Sequence, residues 1–173
     1  MIANFDVVKD NIVNAFDAPY NCDYIAHGCN CHCVMGAGVA KALADKWPDV
    51  LKSDIEGIDA VDGYKVYAKG SRDRLGKATV TCFPHNSSHK TIVNMYTQYD
   101  IARYSGDVVV DWVAFENALN DLFQHVNFET SGRHVALPEI GCGLAGGEVE
   151  DFYAILGKVM DKYPNVRVTI FRL

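Results

Sequence analysis

Short runs of β-branched and aromatic residues alternate along this chain with longer stretches whose apolar residues recur at helical spacing. That alternation is the mark of an α/β layer fold. The strand-like runs are Phe5–Val8, Tyr24–Gly28, Ala78–Phe83, Thr91–Tyr96, His134–Pro138 and Val166–Phe171, with Tyr64–Tyr67 a weaker candidate. Three helical stripes interleave with them. From Gly36 onward, Val39, Ala40, Leu43, Ala44 and Trp47 share a face until Pro48 interrupts it. From Asp111, the natural N-cap, Trp112, Phe115, Leu119, Leu122 and Val126 repeat at the same period. From Glu148, Phe152, Ile155, Leu156 and Val159 do so until Pro164. These stripes are core and carry no chemistry. The stretch Ser53–Lys77 is rich in Asp, Gly and Lys and has no clear period; the polar "HNSSHK" after it reads as a hairpin turn. His85 and His89 in that turn read as solvated.

A length of 173 residues suits one domain, 1–173, and the hydrophobic fraction of 49% is ordinary for a globular chain. No apolar run approaches the roughly 20 residues that span a bilayer. The N-terminal "MIANFDVVKD" lacks the basic flank and apolar stretch of a signal peptide, so a cytoplasmic location without membrane contact is expected. A net charge of −6 argues against a nucleic acid backbone as partner. It leaves room for one phosphorylated small molecule, which backbone amides hold without any Lys or Arg. In that compartment the six cysteines are expected to be reduced thiols.

Two glycine-bearing turns carry the functional signal. The first, "HGCNCHCVMGAGVAKAL", runs from a strand through Asn30 to Gly36-Ala37-Gly38 at the start of a helix. First-turn amides are unpaired and lie at the positive end of the helix dipole, and glycine lets an anion approach them. The second, "LPEIGCGLAGGEVED", ends a strand in a glycine-rich loop whose successive amides make an anion-holding nest. Neither is a Walker loop, since no Lys-Ser or Lys-Thr follows, and the first lacks the register of the dinucleotide fingerprint. Each alone is weak, and many such turns are only tight connections. Two of them at two strand ends suggest a diphosphate gripped from both sides.

The run "NCHCVMGAGVAKALADKWP", followed much later by "LPEIGCGLAGG", resembles the macro domains, in the branch of the ADP-ribose 1''-phosphate phosphatases and their bacterial and phage relatives. "VVKDNIV" resembles the first loop of that family and "VTIFRL" its last strand, so the likeness extends over nearly the whole chain. It implies a three-layer α/β/α fold with a mixed central sheet. It also implies host cytoplasm as the location if the chain is phage-encoded. By the same likeness Asn11 and Ile12 lie beside adenine and Phe171 packs on it. Asn30 contacts the distal ribose. Val34, Met35, Gly36, Ala37 and Gly38 flank the ribose and diphosphate, and Gly141, Cys142, Gly143, Leu144, Ala145 and Gly146 hold the diphosphate.

The chain also departs from the pattern. Deglycosylating relatives use a lysine soon after the strand matching Thr91–Tyr96, where this chain reads "NMYTQYD" with Gln98 and Tyr99. Their partner aspartate is replaced by Ala145, where other members place an aromatic, and Val149 stands where an indole often follows. A lysine nucleophile is therefore not expected.

His27, on the strand entering the first loop, is the candidate acid–base group, with an analogous histidine in the resembling phosphatase. A strand histidine satisfied by a backbone carbonyl is the competing reading. His32 shields the ligand at most. Cys29, Cys31 and Cys33 with His27 and His32 invite a zinc reading, but the spacing lacks two-residue gaps and no second cluster completes four ligands. No metal and no cofactor is expected. Cys142, flanked by glycines, reads as a small residue filling a tight nest rather than as a thiolate nucleophile. The expected function is binding of ADP-ribose derivatives and dephosphorylation of ADP-ribose 1''-phosphate, with His27 and Asn30 catalytic. The alternatives are an ADP-ribosyl ester hydrolase acting on modified proteins, a non-catalytic ADP-ribose reader, and an α/β domain whose glycine turns are only turns.

Overall fold

The structure, a computed structural model, describes residues 5–130 and 133–173. Its strands are β1 (Phe5–Lys9), β2 (Tyr24–Asn30), β3 (Ala78–His85), β4 (Ser88–Gln98), β5 (His134–Leu137) and β6 (Arg167–Arg172). They form one six-stranded sheet in the order β1-β6-β5-β2-β4-β3. Every neighbouring pair is parallel except β3 with β4, so the sheet is mixed. The antiparallel pair is the expected hairpin, and Asn86 takes the left-handed conformation its turn requires, at φ 54°.

The helices are α1 (Gly38–Lys46), α2 (Asp49–Glu56), α3 (Trp112–Phe128) and α4 (Val149–Lys162). Successive strand side chains point to opposite faces, so adjacent residues of β2 feed two cores. Ile25 joins Leu43, Val50, Ile92 and Phe171 beneath α1 and α2. Ala26 joins Phe115, Leu119, Phe152 and Leu156 beneath α3 and α4. All four residues of β5 are buried, as expected of a central strand covered on both faces. The result is the expected α/β/α layering. Asp111 caps α3, its Oδ1 accepting from the Ala114 amide at 2.9 Å.

Two sequence expectations fail here. Pro48 ends α1 but also occupies the N-cap of α2, a helix absent from the sequence reading. Proline is tolerated there because an N–H at a helix start has no intrahelical partner. Tyr64–Tyr67 forms no strand: Tyr64 is 99% exposed and Val66 makes only an isolated bridge with Ile58.

The irregular excursion after α2 is held by Arg74, whose side chain is fully buried. Its guanidinium donates to the carbonyls of Tyr67, Ala68 and Asp54 at 2.8–3.0 Å, to the Asp54 carboxylate at 3.3 Å and to the Tyr96 hydroxyl at 2.9 Å. Tyr96 in turn donates to the same carboxylate at 2.7 Å. Gly57 must be glycine: it is left-handed at φ +69°, and a Cβ would lie 2.2 Å from the Tyr67 carbonyl oxygen.

Removing one partner of a buried ion pair strands the other charge, at a cost of about 3–5 kcal/mol. Arg74→Ala is therefore expected to lose stability on that order in urea titration. A loss below about 1 kcal/mol would show that the excursion is anchored by other contacts.

Candidate functional site

β2 and β5 are parallel neighbours, yet the chain leaves β2 for α1 on one face and leaves β5 for α4 on the other. Crossovers that diverge from adjacent strands open a crevice at the carboxyl ends, the usual binding place in open α/β sheets. A cleft of about 540 Å³ lies there, walled by Gly36–Ala40 on one side and by Pro138–Gly141 and Gly143–Ala145 on the other. A hollow of similar size, about 520 Å³, lies between β3 and α3, away from both glycine turns.

The first wall is an open helix start. Ala37 is the N-cap of α1 and offers no side-chain hydrogen bond. The first intrahelical donor is the Lys41 amide, bonded to the Ala37 carbonyl at 3.2 Å. The amides of Gly38, Val39 and Ala40 are the unpaired first turn and all three residues line the cleft. Gly38 has φ +60°, a conformation that favours glycine, whereas Gly36 has open space where a side chain would go.

Asn30 shapes the loop before that helix. Its Oδ1 accepts from the amides of His32 at 2.9 Å and Val34 at 3.3 Å, and its Nδ2 donates to the Val34 carbonyl at 2.8 Å. The acceptor is thus spent inside the loop, and one N–H remains for a ligand. Asn30 can therefore address a ligand through a donor and not through its acceptor. Val34 lines the cleft and is 44% exposed, whereas Met35 turns away into the core under α1.

The second wall divides the work of its glycines. Gly141 and Gly146 are left-handed at φ +80° and +75°, and added Cβ atoms would strike Val110 at 2.6 Å and the Asp107 carbonyl at 2.1 Å. Gly143 meets nothing within 4 Å. The amides of Cys142, Gly146 and Gly147 are bonded within the loop, to Glu139, Gly143 and Gly141. Among the described residues the amides of Gly143, Leu144 and Ala145 have no protein acceptor, and these residues face the cleft. Leu144 is 71% exposed at the rim. Cys142 and Gly146 do not line the cleft. The Cys142 side chain packs on the core under α3 and α4, and burial pushes its thiol up to about 11.

His27 departs most from expectation. It is 1% exposed, lies outside the cleft lining, and points with Ile25 toward the α1–α2 layer. Its Nε2 meets Asn94 Oδ1 at 2.6 Å, and Asn94 Nδ2 donates to the Val50 carbonyl at 3.1 Å. That donation identifies Oδ1 as the acceptor, so the histidine is the neutral tautomer protonated on Nε2. Burial lowers its pKa to about 4, against the raising effect of the Asn94 bond. This placement leaves the ring no path to a ligand and counts against the acid–base role.

The expected adenine contacts are also internal. Phe171 is 4% exposed, with the Tyr20 ring edge-on at 4.9 Å, and Ile12 is 4% exposed. Asn11 caps a 3-10 turn, its side chain accepting from the Val13 amide at 3.1 Å. None of the three lines the cleft. Cys29, Cys31 and Cys33 are buried and pair with different neighbours: the His27 ring, the Gln98 carbonyl and the Asp54 carbonyl. Among the described residues no three His, Cys, Asp or Glu side chains converge as metal ligands would. Residues that sequence reasoning missed include Thr97, Gln98, Ile101 and Glu139, all in the lining. Thr97 and Gln98 reach the lining because β4, ending at Gln98, pairs beside β2, ending at Asn30, whereas Glu139 lies within the second glycine turn itself.

No protein-family model matches the chain. An uncharacterized 17.5 kDa protein from the tk-vs intergenic region of Enterobacteria phage T4 is 27% identical over 163 residues, covering 91% of this chain and 88% of that one. The macrodomain of Thermus aquaticus DarG superposes with a TM-score of 0.71 at 20% identity, covering 98% of this chain and 99% of that one. Thermosipho africanus DarTG, in complex with ADP-ribose, matches with a TM-score of 0.58 at 19% identity, over 87% of this chain and 38% of that one.

His27 carries a pH signature. Its pKa is lower in the folded chain than the ordinary value near 6.5, so the unfolded chain takes the proton first as pH falls. Its stabilisation is complete above about pH 6.5 and is lost on descent toward about pH 4. His134, also lowered by burial, adds to the same slope. His27→Gln keeps a donor for Asn94 but does not titrate. Between about pH 7.5 and pH 5 it is expected to lose less stability in urea than the parent, by at most about 2 kcal/mol. Equal losses would mean that His27 is not held neutral.

Proposed function

With the macrodomain fold of this chain as premise, we propose that it binds ADP-ribose, the diphosphate lying between the two glycine turns. One observation carries this reading: residues whose amides are unpaired among the described residues, Gly38–Ala40 and Gly143–Ala145, line the two sides of one cleft. Amides so placed stabilise anionic oxygens without a cationic side chain, which suits a chain of net charge −6. The cleft volume, about 540 Å³, is within the range of small-molecule sites. The ADP-ribose held by the structurally similar DarTG supports the choice of ligand.

The same lining favours a reader over a phosphatase or an ester hydrolase. Its ionisable residues are Cys29 and Glu139. Burial holds the Cys29 thiol well above its usual range. Glu139 Oε1 already accepts from the Tyr153 hydroxyl and from Arg172 Nε, each at 2.7 Å. The Cys29 thiol is therefore not poised as a general acid or base near neutral pH, and the Glu139 carboxylate is engaged by its own protein donors. Removal of phosphate from ADP-ribose 1''-phosphate would have to use a water activated by the ligand itself, with the remaining Asn30 N–H orienting it.

Calorimetry with ADP-ribose and with AMP tests the binding. AMP is expected to bind at least about tenfold more weakly, since it offers no second phosphate to the paired walls. Equal affinities would sink the two-wall arrangement. Gly143→Glu has room to fold and places a carboxylate at the diphosphate; it is expected to weaken ADP-ribose by at least about a hundredfold with an unchanged melting temperature. A folded variant that binds normally would place the phosphates elsewhere. Phosphate release from ADP-ribose 1''-phosphate is expected at background rate, and clear turnover would restore the phosphatase reading.

A further inference from the structure

The cleft lining contains a buried polar atom that has no partner among the described residues. Thr97 lines the cleft and is 1% exposed, and its hydroxyl oxygen is buried without a hydrogen bond. Such a group is costly to leave unmatched, and a valine of the same shape would avoid that cost. An unmatched polar atom in a binding cleft calls for an explanation in terms of what binds.

The surroundings of Thr97 point the same way. Between β2 and β4 the register slips at this level: Cys29 lies opposite Tyr96, but Asn30 lies opposite Gln98. Thr97 is therefore the extra residue of a bulge, a device that re-aims a side chain near sites. Its carbonyl is tied down by the Asp111 amide at 2.7 Å. A Cβ on Gly28 would lie 2.7 Å from the Thr97 hydroxyl oxygen and 2.9 Å from Ile140. The missing side chain of Gly28 keeps space clear beside that hydroxyl. The lining also includes the aliphatic Ile140 and, opposite Gln98 one position beyond the bulge, Asn30 with its remaining N–H.

We propose that Thr97 is the specificity-determining residue of the cleft, its hydroxyl pairing with a hydroxyl of the ligand's distal sugar. Thr97 is part of the cleft lining, and rotation about χ1 re-aims its hydroxyl without moving the backbone. Together with the remaining Asn30 N–H it supplies a donor and an acceptor for a ribose diol, whereas the amide walls address only phosphates. A site built to hydrogen-bond a hydroxyl rejects an analogue lacking it more strongly than an apolar site rejects a smaller one. This inference rests on the ADP-ribose reading.

The test compares ADP-ribose with ADP, which lacks the distal ribose, on the full chain and on Thr97→Val and Thr97→Ser. Thr97→Val is expected to melt no lower than the parent, to bind ADP-ribose about tenfold more weakly, and to bind ADP as the parent does. Thr97→Ser is expected to restore ADP-ribose affinity. Unchanged ADP-ribose binding by Thr97→Val, or an equal loss for both ligands, would overturn the assignment. So would a marked fall in its melting temperature, because the hydroxyl would then have a structural partner. Failure of the parent chain to bind ADP-ribose at all would remove the underlying reading, and this inference with it.

Discussion

The parallel pairing of β2 with β5, Tyr24 against Val135 and Ile25 against Ala136, is the contact from which the rest of the site follows. Two strands far apart in sequence lie side by side and run the same way, so their exits open at one edge of the sheet. One exit turns toward the layer of α1 and α2, the other toward that of α3 and α4. The crevice is what remains when two connections diverge from adjacent strands. Each exit then begins with glycine for its own reason. Gly38 starts a helix in a conformation that favours glycine, whereas Gly146 lies against the Asp107 carbonyl with no room for a Cβ.

Polar burial holds this arrangement in register. Asn94 joins His27 on β2 to the Val50 carbonyl and Ser53 on α2, and Arg74 joins the end of α2 to Tyr96 on β4. Buried polar groups are tolerated only when matched, and in both networks the atoms match one another. These contacts fix the ends of β2 and β4, and so fix the floor of the cleft. The same burial that makes His27 a strut counts against acid–base work, since it lowers the pKa of the ring to about 4 and His27 lies outside the cleft lining.

The likeness to macrodomain structures is a likeness of fold, and the chemistry has to be read from the cleft itself. There the amides of the two glycine turns remain available, whereas Phe171 packs edge-on against Tyr20 outside the cleft lining.

The alternation of strand-like and helical runs was enough by itself to determine the layer class, all six strands, three of the four helices and both glycine turns. Those features depend on local period and backbone freedom, which are written in adjacent residues. The α2 helix escaped because Pro48 is at once a stop for one helix and a start for the next, and only packing of Val50 and Asp54 distinguishes the two. The two glycine turns apart, which residues line the cleft was decided by tertiary structure. His27 and Asn30 are three residues apart on one strand, so the pleat sends them to opposite faces. Thr97 enters the lining because a bulge, visible only when β4 is laid beside β2, brings it over Gly28. Position along the chain tells which strand end a residue occupies; only the pairing and register of the strands tell which side of the sheet it serves.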